Sequence, residues 1–294
     1  MIRDLSVIVF PGGFNLPIWA AQRQGFFEKN GVRVTLTDTP SSTFQMQGLA
    51  EGRFDIAMTA FDNVVAYQEG QGEASIPPNP DMFAFMGSDN GFLSVIGGKE
   101  VRSLQELKGR KLAVDALTTG YAFVLRELLS RASVSEADVT FERMGGALPR
   151  FQELLKGSHS GTILVTPFDL LAKNQGYPHL ARAVNELGAY QGVVAASRRS
   201  WVAKNESAVA GFVHGYRAGV EFLYANPDIA EQMLVANVRN MTPALAKQTL
   251  GVLLDERWGF FRDVRLDPEG METVLALRSK FSGMKLTDPD KYIP

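Results

Sequence analysis

LAEGRFDIAMTAFDNVVAYQEG (residues 49–70) and LLKGSHSGTILVTPFDLLAKNQG (154–176) read as one pattern written twice. Each has a helix ending at glycine, a short apolar strand, a Phe-Asp corner, and a helix that stops at another glycine. Gly52 to Phe61 is nine residues and Gly157 to Phe168 is eleven, so a single two-residue gap brings all four features into register. A repeated strand-to-helix corner implies two similar α/β lobes, each bringing an equivalent strand end to a shared cleft. Ligands of open α/β sheets bind beyond the carboxyl ends of strands.

Outward from these corners, strand and helix patterns alternate. Leu5–Phe10 is an apolar run halted by PGG. LPIWAAQRQGFFEK (16–29) carries apolar residues at helical spacing, and VRVTL (32–36) alternates as a strand. A helix follows from Ser41 to about Glu51, and GQGEASIPPNPD (70–81) is a loop. MFAFMGS and FLSVIGG then read as strands. SLQELKGRKLAVD (103–115) is a short helix, a turn and a buried strand. TTGYAFVLRELLSRA, LPRFQELLKG and the segments after Trp201 are helical, with DVTFERM, TILVTP and QGVVAAS as strands between them. This order predicts a mainly parallel α/β fold of two similar lobes around a central cleft, with extra C-terminal helices. The predicted lobes are residues 1–92 plus 191–294 and residues 93–190. Segments 92–98 and 190–197 are the expected crossings.

Bulk composition fits that reading. The 294 residues are 45% hydrophobic and 21% charged, and a chain this long favours two lobes. A net charge of −2 with scattered Lys and Arg argues against nucleic acid as a partner. No apolar run is long enough to span a bilayer. The absence of cysteine removes disulfides and thiolate chemistry. The three histidines have no metal-ligand spacing, and neither a phosphate-binding glycine loop nor a G-x-S-x-G elbow occurs. No cofactor is expected. MIRDLSVIVF leads directly into a strand, so the expected location is periplasmic if a leader was removed and cytoplasmic if Met1 is native.

LPIWAAQRQGFFEKNGVRVTL (16–36), MQGLAEGRFDIAMT (46–59), SLQELKGRKLAVD (103–115) and FQELLKG with VTPFDLLAKNQGY (151–157, 165–177) occur in that order. Together they resemble the type II periplasmic solute-binding proteins of ABC importers. The likeness is to the branch that handles sulfonates, taurine, nitrate and thiamine-pyrimidine precursors. The second repeat departs in one place: GSHSGT lacks the acidic residue that follows the helix-ending glycine in the first. The resemblance implies a small-molecule solute held in the cleft and an ABC permease as partner.

Candidate contacts lie in the loops the resemblance places at the cleft. Phe14 could stack on a flat ligand and Asn15 could hydrogen-bond it, while Trp19 sits on an apolar helical face and reads as core. Ser41, Ser42 and Thr43, and Thr118, Thr119 and Gly120, stand at helix N-termini, where free N–H groups and the helix dipole suit an anion. Plain capping explains them equally. Asp62 and Asp169 likewise read as N-caps or as acceptors for a ligand N–H, and Asp115, ending a buried strand, is a third acceptor. Phe61, Phe168 and Tyr121 are candidate cleft walls, and Gly145 and Gly146 allow close backbone approach. No Arg occurs in these loops, which favours a neutral polar or singly anionic ligand.

An enzyme of the same fold is the competing class. The desulfinase branch depends on cysteine, and TFQMQGLAEGRFD lacks the His and Lys expected of a pyrimidine synthase. A cytosolic decarboxylase- or dehydratase-like enzyme acting on a small aromatic or cyclic acid remains the alternative, with Asp62 and Asp169 as acid and base. A sensor is a third class, although the chain carries no signalling module. Solute capture is the leading reading.

Overall fold

The structure is a computed structural model describing residues 2–78 and 80–294. Its strands are β1 (Arg3–Val9), β2 (Val32–Asp38), β3 (Ile56–Ala60), β4 (Met82–Gly87), β5 (Leu93–Gly97), β6 (Lys111–Val114), β7 (Thr140–Arg143), β8 (Gly161–Val165), β9 (His179–Arg182) and β10 (Val193–Arg198). Helices α1 (Leu16–Arg23), α2 (Phe26–Lys29), α3 (Ser42–Ala50) and α4 (Phe61–Gln68) serve the first sheet. Helices α5 (Gly120–Arg131), α6 (Ala147–Lys156), α7 (Phe168–Asn174) and α8 (Ala183–Leu187) serve the second. The C-terminal part adds α9 (Arg199–Val202), α10 (Glu206–Ala225), α11 (Pro227–Asn237), α12 (Pro243–Leu253) and α13 (Pro268–Ser282).

The strands form two five-stranded sheets ordered β2-β1-β3-β10-β4 and β7-β6-β8-β5-β9. The two orders are equivalent position by position. β3 lies between a parallel β1 and an antiparallel β10, and β8 lies between a parallel β6 and an antiparallel β5. The two Phe-Asp corners therefore leave the same central strand of each sheet. Helix α4 begins at Phe61 and α7 at Phe168.

β5 and β10 are the strands taken up directly after the chain passes from one sheet to the other. The sequence placed these crossings at 92–98 and 190–197. The apolar runs there pair into ladders instead, and the irregular connections lie just upstream, at 88–92 and 188–192. The two connections run side by side. Gly192 N–H donates to the Asp89 carbonyl at 2.9 Å and Ser88 N–H to the Val193 carbonyl at 2.9 Å. A Cβ on Gly192 would overlap the Gly91 backbone nitrogen.

The predicted helix over 16–29 is broken. Gly25 takes φ 67°, a left-handed conformation that ends α1 and redirects α2. Helix α10 covers both pieces with a stripe of Gly211, Gly215 and Gly219, where any side chain would strike Asn30, Phe27 or Pro17. Phe27 and Phe212 stack at 5.5 Å beneath it. β9 and α8 follow the Pro178 loop and are short elements that the sequence pattern does not announce. No helix among the described residues is long and apolar enough to cross a membrane.

Candidate functional site

The loops at the carboxyl ends of the central strands meet between the sheets and enclose a narrow cavity. The cavity volume is about 50 Å³, room for about four waters. Phe10 and Phe14 enter from the turn after β1, and Ala60 and Asn63 from the first corner. Asp115, Thr119, Gly120 and Tyr121 come from the β6–α5 connection, Gly146, Ala147 and Arg150 from the start of α6, and Val165 and Val193 from the strands. The walls are mostly apolar, with a guanidinium, a carboxylate and an amide set into them.

Arg150 is 2% exposed and donates to two backbone carbonyls, Gly145 at 2.6 Å and Ile163 at 3.1–3.2 Å. No carboxylate hydrogen-bonds it. Burial lowers its pKa, and nearby Asp115 counters part of that shift. Asp115 is itself pushed up by burial, against the pull of Arg150 and of a hydrogen bond from Ser42. That bond runs across the cleft, with Ser42 N–H donating to Asp115 Oδ2 at 3.2 Å. Ser41 Oγ accepts from Phe44 N–H at 3.2 Å. The N-terminus of α3, a natural anion seat, is therefore filled by side chains of the protein itself.

Helix α5 differs. Thr119 stands at its N-cap without capping it by side chain, because its hydroxyl donates back to Ala116. The first turn of α5 thus faces the cavity that Thr119, Gly120 and Tyr121 line. Tyr190, on the second crossing, packs against Tyr121 with ring centroids 6.3 Å apart, and its buried hydroxyl has no hydrogen-bond partner. Burial raises the pKa of both phenols, so each is a neutral donor.

The other residues singled out from sequence have partners within the protein. Asp62 is 1% exposed and makes a two-armed ion pair with Arg278 of α13, at 2.7 and 2.5 Å. Arg278 also donates to the Thr118 carbonyl and to Gln71 Oε1, both at 2.6 Å. Asp169 accepts from Ser94 Oγ and from Leu170 N–H, and burial raises its pKa. Phe61 is fully buried with its ring edge-on to Tyr292, and Phe168 packs against Phe151. Asn15 donates to the Phe10 carbonyl at 2.7 Å and holds the turn that carries Phe14. Thr43 Oγ1 bonds Ser41, and Thr118 Oγ1 donates to Gln71. Gly145 takes φ 80° and Gly146 N–H donates to the Pro40 carbonyl across the cleft at 2.8 Å. A Cβ on Gly146 would come within 2.9 Å of the Phe10 ring.

Loop-based reading missed Phe10, Asn63 and Arg150. Arg150 had a signal. It lies in the buried stripe of α6 with Ala147 and Leu154, and a charge in that stripe is out of place on a plain amphipathic helix. Among the described residues no group of His, Asp or Glu is placed to hold a metal ion.

The sequence model described as NMT1/THI5 like matches residues 15–230, nearly three quarters of the chain. The chain belongs to the NMT1/THI5-like family. No curated protein matches it. Among solved structures, this family member is similar to the alkanesulfonate-binding protein SsuA from Xanthomonas axonopodis pv. citri bound to MOPS. That pair has 15% identity and a TM-score of 0.80 over 99% of this chain and 98% of that one. It is similar to the periplasmic nitrate-binding protein NrtA from Synechocystis PCC 6803 at 13% identity and TM-score 0.80, over 99% and 86%. It is also similar to the ligand-binding component of an ABC-type import system from Staphylococcus aureus, with zinc bound, at 12% identity and TM-score 0.80, over 99% and 96%. At these identities the likeness establishes the periplasmic-binding-protein-like α/β fold.

Proposed function

We propose that the chain captures one small, flat organic solute between its two lobes and delivers it to an ABC-type permease. The lobes are taken as residues 1–92 with 191–294, and 93–190. The observation that carries this reading is Arg150, a buried cation on the cavity wall whose hydrogen bonds go to backbone carbonyls alone. A desolvated charge that no carboxylate hydrogen-bonds is costly, and a solute acceptor or anionic group would add to the partial compensation that nearby Asp115 gives. Near Arg150 on the same cavity, Asp115 offers a carboxylate to a solute N–H, and Phe10, Phe14 and Tyr121 offer faces to a planar body. The solute class is therefore a small ring or conjugated group with an acceptor or single negative charge at one edge and a donor at another. Solved proteins of similar fold bind sulfonates and nitrate, which accords with a singly charged head.

Because the cavity is narrow and its two sides touch through Pro40–Gly146 and Asp115–Ser42, a solute must engage both lobes at once. Its differential affinity then favours their apposition. Thermal-shift and calorimetric titration against alkyl sulfonates, taurine, nitrate, aminopyrimidines and aromatic acids tests the reading. A bound compound at about 100 times its dissociation constant adds about 2.7 kcal/mol. Arg150→Met should weaken that compound about 100-fold, again about 2.7 kcal/mol. Full affinity in Arg150→Met removes the assigned anchor, and no binder across the panel removes the solute class.

A further inference from the structure

We infer that the chain carries a second small-molecule site, beside the cleft cavity on the adjacent face of α6, shaped for an organic anion with an aromatic body. The groove there measures about 470 Å³, within the roughly 300–1,000 Å³ of drug-sized ligand pockets. Four parts of the molecule build it: the β1–α1 segment, the end of β2, helices α6 and α7, and the turn between α11 and α12. Its floor is apolar and aromatic, formed by Trp19, Phe151, Phe168, Leu155, Leu171 and Val238.

Helical periodicity separates the two sites. Ala147 and Arg150 of α6 face the cleft, whereas Leu148, Phe151, Gln152 and Leu155 face the groove. The turn after β1 divides in the same way, with Phe10 and Phe14 on the cleft side and Pro11, Gly12 and Asn15 on the other. The two spaces share no lining residue.

The rim supplies the chemistry. Gln152, Arg239 and Asn240 make no side-chain hydrogen bond or ion pair with any described residue, and the Trp19 indole N–H donates to none. Arg239 and Asn240 stand together on the α11–α12 turn, where Asn240 takes φ 62°. Asp38, also unpaired, ends β2 at another part of the rim and repels an anion there. An anionic head is therefore directed to Arg239, with Asn240 and Gln152 as neutral partners, and the aromatic body lies over Trp19 and Phe151. Because α1 and α6 belong to different sheets, an occupant bridges the same two units that the cleft solute bridges.

8-Anilinonaphthalene-1-sulfonate, a naphthyl body with one sulfonate, is the probe. The native protein should give a saturable rise in dye fluorescence, excited through tryptophan because Trp19 forms the floor. Arg239→Glu should weaken the dye about fivefold or more, and Leu155→Arg should abolish the saturable rise. Arg257→Glu, which changes an exposed charge outside the groove, should leave the affinity unchanged. Circular dichroism melting of each variant establishes that it is folded. The proposal is overturned if the native protein shows no saturable rise. It is equally overturned if Arg239→Glu and Leu155→Arg bind the dye as the parent does.

Discussion

Asp62→Ala separates the structural from the ligand-binding reading of the repeated corner. The substitution removes both carboxylate oxygens from Arg278, which is fully buried. Breaking a buried ion pair by deleting one partner costs about 3–5 kcal/mol, because the remaining charge stays desolvated. Arg278 keeps two acceptors, Gln71 Oε1 and the Thr118 carbonyl, so the loss should fall at the lower end, about 3 kcal/mol. With a urea m-value of about 3 kcal/mol/M, the unfolding midpoint should drop by about 1 M. Removing both charges with Asp62→Leu and Arg278→Met should return stability to within about 1 kcal/mol of the parent, since a well-packed apolar replacement carries no desolvation cost. The assay is urea unfolding followed by circular dichroism, with solute affinity measured on each folded variant. A loss below about 1 kcal/mol in Asp62→Ala would refute the buried pair. Lost binding at unchanged stability would show instead that Asp62 serves the solute.

Two further outcomes follow from the crossings between the sheets. Asp89 is fully buried there, holding Gly91 and Val193 N–H through Oδ1 and the Ser88 hydroxyl through Oδ2, with Tyr216 behind Ser88. Burial pushes its pKa from 3.8 to about 6. The folded chain therefore holds an extra proton in that window, and stability falls as pH rises from about 4 to about 6, by about 3 kcal/mol in all. Asp89→Asn keeps an acceptor for both backbone donors, so its stability measured at pH 4, 5, 6 and 7 should lack this component of the slope. Equal slopes in parent and variant would remove Asp89 as its source. Gly192→Ala would drive a methyl group into the Gly91 backbone and should cost about 2 kcal/mol or more. An unchanged melting temperature would show that the two crossings are not in close contact.

The repeat in the sequence was informative because strand, corner and helix are local patterns. Gly52 and Gly157 both end helices with positive φ, and the apolar runs 56–60 and 161–165 became equivalent central strands. β9 was not legible, since one exposed and three half-buried residues after a proline carry too little alternation. The break of the 16–29 helix at Gly25 was also hidden, because one glycine within a helical pattern is compatible with either outcome.

The candidate site divides along the same line. Element order set the α/β fold class and brought the loops of residues 14–15, 41–43, 115–121 and 145–146 together, because topology dictates which strand ends share an edge. The solute-binding class came from the family resemblance. The fate of each side chain depended on partners distant in sequence. Asp62 is claimed by Arg278, 216 positions away, and Asp169 by Ser94, 75 positions away. The cation on the cavity wall came from inside α6 rather than from a loop. Local pattern determines where a loop ends up, but the balance of desolvation against pairing determines which charges are spent on the fold. That balance is set only when the two sheets and the C-terminal helix α13 come together.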